Sequence, residues 1–320
     1  NHAFISNIAA VKVGKAKYSM ICTEQGTIID DLITYHLAED EFLVIPNAGN
    51  ADAVFAAMQE RTEGFDVTVT NESFETSMIA VQGPKAAEVM VDVVENVTDA
   101  PEASGAGDTV ATAIEGLGYY AAFRGIVAGQ PCIIARTGYT GEDGFEIIVG
   151  NDGAEAVWAK AMAKAGELGG KPCGLACRDT LRLEAGMPLY GNELSLELTP
   201  VDAGLGILAA TKSKDSFVGY DAIVAAKEEG TKQALIGLAG EGRRAARGGY
   251  EIFTAEGEQA IGKVTSGALS PTLGYPIAMA YVSTEAQDNG VTEGATVEVD
   301  IRGKRHPYTV VKLPFYTREK

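Results

Sequence analysis

The sequence predicts an α+β protein of several domains that ends in a small β-barrel. Its 320 residues exceed what one ordinary hydrophobic core organises, so two or three domains are expected. Helical and strand patterns alternate up to a boundary near residue 230, and after it only short strand-like runs with Gly, Pro and Ser turns remain. The main runs cover residues 234–238, 277–281, 296–300 and 308–312.

The part before that boundary contains both kinds of element. A helix is predicted where apolar residues recur on one side, as Val54, Phe55 and Met58 do. Another is predicted after Gly83-Pro84, since proline suits the first helical position. Predicted strands cover residues 17–44 with turns, 65–70 and 77–81; predicted helices cover 51–61, 85–95, 154–168 and 174–186; residues 98–108 are predicted to be a loop.

Composition limits the function. The net charge of −18 argues against nucleic acid or membrane-surface partners, although Arg243, Arg244 and Arg247 form a local basic spot. No apolar run of about 18 residues predicts a membrane-spanning helix. Four scattered cysteines are few for this length, which favours a reducing cytoplasm. With only three histidines in the chain, no metal site is predicted. The sequence begins with neither a secretory signal nor Met, so we expect a processed chain or a fragment.

One segment is especially informative, Arg136-Thr-Gly-Tyr-Thr-Gly-Glu-Asp-Gly-Phe-Glu146. It lies between two apolar strand patterns, and its glycines suit the turn between them. A structural hairpin requires neither Tyr139 nor Glu146. A carboxylate inside an apolar strand needs a partner or a ligand, so Glu146 is either a rim residue in a salt bridge with Arg136 or part of a site.

An acidic doublet, Asp30-Asp31, lies inside another predicted strand. Strand side chains alternate between two faces, which puts Asp31 on the more apolar face with Ile29, Ile33, Tyr35 and Leu37. A carboxylate in such a place either caps a turn through backbone hydrogen bonds or belongs to a site. We expect Asp31 to face inward.

Several motifs together resemble the aminomethyltransferase (T-protein) family of the glycine cleavage system. They occur in the family's order and approximate spacing over nearly the whole chain. The motifs are Gly26-Thr-Ile-Ile-Asp-Asp-Leu, Gln82-Gly-Pro-Lys-Ala, the segment 136–146, Gly174-Leu-Ala-Cys-Arg-Asp-Thr-Leu-Arg-Leu-Glu-Ala-Gly, Leu189-Tyr-Gly-Asn192 and Thr265-Ser-Gly-Ala-Leu-Ser-Pro-Thr-Leu273. The family normally carries a further N-terminal segment before the point where this sequence begins, which again leads us to expect truncation or cleavage.

The resemblance implies three domains in a cloverleaf-like arrangement, with folate in a central channel. The domains expected are 1–66 together with 193–230, then 67–192 around the folate site, and 231–320 as the barrel. It also implies an enzyme that takes the aminomethyl group from the lipoyl arm of the H-protein, releases ammonia and passes the one-carbon unit to tetrahydrofolate. Lipoylated H-protein is thus the expected partner, and tetrahydrofolate the expected co-substrate.

The motifs carry the family's site residues onto this chain. Asp31 falls on the catalytic aspartate, near the folate nitrogens that receive the one-carbon unit. Folate contacts are expected at Tyr18, Ile33, Tyr35, Tyr119, Tyr139, Glu146, Arg178, Arg247 and Tyr316. A carboxylate accepts pterin N–H donors, tyrosines offer flat surface, and guanidinium groups hold carboxylate oxygens. Internal salt bridges, for example with Asp179 or Glu184, are the alternative for the arginines.

Two alternative functions stay open from the sequence. One is a related folate-dependent enzyme that acts on another amine or sulfonium donor, and a donor assay separates it from the first interpretation. The other is a non-catalytic folate-binding protein of the same fold. The retained Asp31 argues against that second alternative.

Overall fold

The computed structural model describes residues 1–318, and the chain divides into two compact units. Unit 1 comprises Asn1–Ile21, Asp31–Gly138 and Glu142–Cys173. Unit 2 comprises Cys22–Asp30, Tyr139–Gly141 and the chain from Gly174 onward. The three-domain division expected from the sequence, with boundaries at residues 66, 192 and 230, stays a prediction.

Unit 1 begins with a three-stranded sheet of order β1-β2-β3, followed by a helix. The elements are β1 (Ala16–Cys22), β2 (Ile28–Ala38), β3 (Glu41–Pro46) and α1 (Ala51–Glu60), and β2 is shared with unit 2. The strands β2 and β3 pair antiparallel, with Tyr35 opposite Leu43. Helix α1 confirms the predicted helix and buries Val54.

A five-stranded antiparallel sheet of order β4-β8-β7-β6-β5 forms the rest of unit 1. In chain order its elements are β4 (Thr76–Gln82), α2 (Ala86–Val93), β5 (Val94–Asp99), α3 (Val110–Gly116), β6 (Ala122–Val127), β7 (Gln130–Ala135), β8 (Gly144–Gly150) and α4 (Asn151–Glu167). Side chains of the helices pack on sheet residues such as Phe145 and Ile147, which are fully buried. The helix predicted at 85–95 ends at Val93, and its last residues join β5 instead.

The strand predicted at residues 65–70 is wrong. The segment forms a turn and an irregular stretch, and Phe65 and Val67 are 57% and 56% exposed. Alternating apolar residues stabilise a strand only where one face is covered, and here neither apolar side chain is covered.

Unit 2 contains a closed six-stranded barrel of order β10-β11-β12-β9-β14-β13, which β10 closes by pairing with β13. Its elements are α5 (Leu175–Glu184), α6 (Tyr220–Glu229), β9 (Gln233–Gly240), β10 (Glu251–Thr254), β11 (Gly262–Leu269), β12 (Pro276–Ser283), α7 (Thr284–Asp288), β13 (Thr296–Asp300) and β14 (Arg305–Val311). Helix α5 packs Leu183 against Ile277 and Met279. The predicted fold class, α+β with a C-terminal β-barrel, is confirmed.

Among residues 1–318, none of the helices has the length and apolar character that a bilayer crossing requires. The same residues contain no group of three or more His, Cys, Asp or Glu side chains placed to hold a metal ion.

Candidate active site

Asp31 lies in the middle of β2 and is held on both carboxylate oxygens. The Tyr18 hydroxyl donates to Oδ2 at 2.9 Å, and the Asn47 amide donates to Oδ1 at 2.8 Å. Asn47 also donates to the Asp31 carbonyl at 3.2 Å. Asp31 lies inside the strand, which continues on both sides of it. Both side-chain donors are neutral groups.

The expected inward orientation of Asp31 needs one correction. In the first half of β2 the even-numbered residues are buried, so Asp30 is fully buried and Asp31 is half-buried. The parity of burial changes at Tyr35, which is buried like Thr34 before it. The sequence pattern alone does not reveal such a change. Asp31 therefore lies at the edge of the core and is partly exposed.

Glu146 is buried in β8 but does not pair with Arg136, so the salt-bridge alternative is wrong. The Thr137 hydroxyl donates to Glu146 Oε2 at 2.5 Å and also contacts the Tyr35 hydroxyl at 2.9 Å. Arg136 instead holds Asp143 through two bonds of 2.9 and 2.7 Å. A bidentate partner satisfies the guanidinium and leaves Glu146 for another role.

Several tyrosines lie near the carboxylates of Asp31 and Glu146 in unit 1. Tyr119 is half exposed and lies edge-to-face with Tyr120 at 4.9 Å. Burial, followed by Tyr119 and the charges of Glu146 and Asp31, raises the pKa of Tyr120. Burial and then the charge of Glu146 raise the pKa of Tyr35. Asp31 and Glu146 therefore both lie close enough to Tyr120 to act on it electrostatically.

We call this group the tyrosine–carboxylate site. Its members are Tyr18, Asp31, Tyr35, Tyr119, Tyr120 and Glu146, and the half-buried Ile33 packs in the same cluster as Tyr35 and Tyr120. Five of the six were expected from the sequence. Tyr120 was not, although its backbone φ of 56° is uncommon for a residue other than glycine and marks a constrained position.

In unit 2 the structure pairs two other expected residues. The exposed Arg178 lies with its guanidinium 4.7 Å from the centre of the Tyr139 ring, a cation–π geometry. The Tyr139 hydroxyl donates to the Pro188 carbonyl. Asp179 pairs with Arg182 at 2.8 Å and is not needed by Arg178.

The last two expected residues are located by backbone contacts. Exposed Arg247 donates to the Gly267 carbonyl at 2.8 Å, and the backbone N–H of half-buried Tyr316 donates to the Glu184 carbonyl at 2.8 Å. The Glu184 carboxylate accepts from Ser270 and Thr272 at 2.5 and 2.8 Å. Glu184 therefore joins α5 to the barrel.

Sequence reasoning missed the residues that hold the site residues. Asn47 lies outside all the motifs, and Thr137 lies inside the segment 136–146 without a predicted role. It also missed the buried pair of Arg182 with Glu193 at 2.8 Å in unit 2. The position of Thr137 inside a motif was the one feature of the sequence that could have pointed to it. Asn47 contacts Asp31 only because β3 pairs with β2, which the sequence does not show.

Two family models match the chain. The model described as "GCVT N-terminal domain" covers residues 1–213, and the "Glycine cleavage T-protein C-terminal barrel domain" covers residues 233–317. The second range contains all six strands of the barrel.

Curated relatives and a solved structure agree with these models. An aminomethyltransferase of Corynebacterium jeikeium is 77% identical over 100% of this chain and 82% of its own length. One of Streptomyces coelicolor is 50% identical, over 100% of this chain and 81% of its own. The crystal structure of glycine cleavage system aminomethyltransferase T from Bartonella henselae matches with a TM-score of 0.84 and 34% identity, covering 98% of this chain and 80% of that one.

The fold and the family models define a transferase of the glycine cleavage T-protein class. The chain belongs to the glycine cleavage T-protein family. The expected aminomethyltransferase function in the glycine cleavage system is confirmed, and the alternative functions are not favoured.

Proposed function

We propose that the chain moves the one-carbon unit from an aminomethyl-lipoyl group on the H-protein to tetrahydrofolate, with release of ammonia. The observation that carries the proposal is that Asp31 and Tyr35 lie on the same strand, β2, and that Tyr35 is linked to Glu146 through the Thr137 hydroxyl. One carboxylate is buried and the other is accessible, so the two are suited to different tasks.

Glu146 is suited to recognise the folate. A reduced pterin presents N–H donors along one edge, and a buried carboxylate accepts two such donors in a charge-assisted arrangement. Tyr35 and Ile33, which pack in one cluster, and the half-exposed Tyr119 are proposed to supply apolar and aromatic surface for the pterin ring. Recognition in a buried place is specific, because a ligand without these donors forms none of the hydrogen bonds that offset its desolvation.

Asp31 is suited to act on the reacting atoms. Tetrahydrofolate supplies the nitrogen nucleophiles that accept the one-carbon unit. The Asp31 carboxylate, fixed by Tyr18 and Asn47, stabilises positive charge near those nitrogens and orients them. It can also take a proton as ammonia leaves.

The contacts in unit 2 are proposed from the family motifs. Arg178 and Arg247 are proposed to hold folate oxygens, because guanidinium groups bind carboxylates through planar paired bonds. Tyr139 keeps the Arg178 guanidinium in place through its ring, and Tyr316 is proposed as a further contact.

We expect Asp31→Asn to lower the turnover of aminomethyl-lipoyl H-protein by about 10²- to 10⁴-fold, because the neutral amide neither balances the charge nor accepts the proton. The dissociation constant for tetrahydrofolate, measured by calorimetry, should change by less than about fivefold, since Glu146 is intact. Asp40→Asn, at an exposed turn, is the matched control and should turn over normally. Near-normal turnover of Asp31→Asn would refute the assignment.

The donor, the partner and the location are proposed with the same function. Activity with lipoyl-bound aminomethyl, and not with sarcosine, dimethylglycine or a sulfonium compound, is the expected result of a donor assay. The lipoylated H-protein is the proposed partner. The cytoplasm is the proposed location, in keeping with four cysteines that form no disulfide.

A further inference from the structure

Thr137 lies between Tyr35 and Glu146 in unit 1, and the proposed function assigns it no task. Tyr35 and Thr137 are each 1% exposed, and Glu146 is 8% exposed. The Thr137 hydroxyl is 2.5 Å from Glu146 Oε2 and 2.9 Å from the Tyr35 hydroxyl. The three groups form one continuous hydrogen-bonded chain.

The direction of the protons in this chain is fixed. An ionised carboxylate only accepts, so the single hydrogen of the Thr137 hydroxyl goes to Glu146. Thr137 then has no hydrogen left for Tyr35, and the Tyr35 hydroxyl must donate to Thr137. The raised pKa of Tyr35, caused by burial and then by the charge of Glu146, keeps that phenol protonated.

Gln82 holds the backbone on both sides of this chain. Its side-chain amide donates to the Thr137 carbonyl at 3.1 Å and to the Phe145 carbonyl at 3.0 Å. A Cβ on Gly138 or on Gly144 would lie 2.0 or 2.1 Å from Gln82 Oε1. The two glycines therefore let Gln82 fit, and Gln82 fixes the spacing of Thr137 and Glu146.

We propose that Thr137 is a positioning residue for folate recognition, which holds the Glu146 carboxylate in the orientation that accepts the N–H donors of a reduced pterin. The inference rests on the proposed function, because it needs Glu146 to bind the folate. A glutamate has three side-chain torsions, and a ligand that must order them loses affinity. A donor on Oε2 orders the carboxylate before the ligand arrives.

The test compares Thr137→Val, which keeps the shape and loses the hydroxyl, with Thr137→Ser, which keeps the hydroxyl. Tetrahydrofolate is the probe, with its dissociation constant from calorimetry and its KM from steady-state assays. Thr137→Val should weaken binding and raise KM by about tenfold to a hundredfold, with kcat within about threefold. Thr137→Ser should stay within about threefold of the unmodified chain.

Thr34→Val is the matched control. Thr34 is also 1% exposed, but its hydroxyl has no hydrogen-bond partner among the described residues. Thr34→Val should bind tetrahydrofolate normally and melt no lower than the unmodified chain. If Thr137→Val does not fold, Thr137→Ala carries the same expectation.

The outcomes separate the inference from the proposed function. An unmodified chain that does not bind tetrahydrofolate would overturn the proposed function itself. Where it binds, Thr137→Val with normal affinity and only a lower melting temperature would overturn the inference, because that result indicates a purely structural hydroxyl. Equal losses in Thr137→Ser and Thr137→Val would also overturn it.

Discussion

At the scale of single residues, the cost of burying a charge is clearest at Lys214 in unit 2. Its side chain is 8% exposed, and its ammonium lies 4.6 Å from the centre of the Phe217 ring. Burial lowers its pKa from 10.5 to about 8. The ring attracts the cation, yet this attraction does not restore the lost hydration. The folded state therefore disfavours the charged lysine.

The sign of the pH dependence follows. Between pH 8 and 10.5 the unfolded chain binds more protons at Lys214 than the folded chain, so its contribution to stability rises with pH. Below pH 8 the penalty is fully present. We expect Lys214→Met to raise the melting temperature at pH 7, and the gain should shrink as the pH approaches 10.

Calorimetric scans at pH 7, 8, 9 and 10 measure that gain as a difference between variant and unmodified chain, which cancels the other groups that titrate there. The exposed neighbour Lys212 supplies the control, since Lys212→Met removes a cation that stays hydrated. A gain that is the same at pH 7 and pH 10 would contradict the assignment to Lys214.

At the scale of elements, the pairing of β4 with β8 requires a glycine at position 144, where a side chain would clash. Gly144 lies opposite Gln82, and a Cβ there would meet Gln82 Oε1 at 2.1 Å. We expect Gly144→Ala to reduce the free energy of unfolding by about 1–3 kcal/mol, because it overpacks the site. Gln82→Ala loses two hydrogen bonds to backbone carbonyls and should cost about 1–3 kcal/mol.

The double variant distinguishes this clash from a general intolerance of alanine. Once Gln82 is shortened, the added methyl group meets no amide, so the combined cost should fall at least about 1 kcal/mol below the sum. Urea denaturation measures all three. Gly166 lies in helix α4, and a Cβ added there would have no neighbouring atom within 4 Å. Gly166→Ala should therefore leave the free energy of unfolding unchanged or increase it. Additive costs would count against the clash.

Elements were predictable from the sequence where pattern and burial agree. Helix α1 and four of the six barrel strands, β9, β12, β13 and β14, follow their apolar periodicity, because each presents one covered face. Residues 65–70 have the same periodicity but no covering surface, which a local pattern does not report. The Asn47–Asp31 contact and the Gln82 bonds join residues that only the folded sheets bring together. The motifs thus indicated the candidate site residues but not the side chains that hydrogen-bond to them and hold them in place.

At the scale of the whole molecule, the predicted boundary near residue 230 can be tested through the barrel. All six strands lie between Gln233 and Val311, and the sheet is closed, so a barrel fragment has no unpaired edge. Its interior has its own cluster of buried residues, including Leu238, Val299 and Tyr308. These features favour independent folding.

We expect residues 231–320, expressed alone, to give a β-type circular dichroism spectrum and one cooperative thermal transition. The outer face that receives α5 would be bared, because Leu183 packs on Ile277 and Met279 there. Arg182 also donates to Ser266 at 2.7 Å on that face. A longer fragment, 174–320, keeps the helix and should melt at a higher temperature with less binding of a hydrophobic dye. Equal melting temperatures would show that α5 adds nothing to the barrel, and a short fragment without a cooperative transition would move the boundary towards α5.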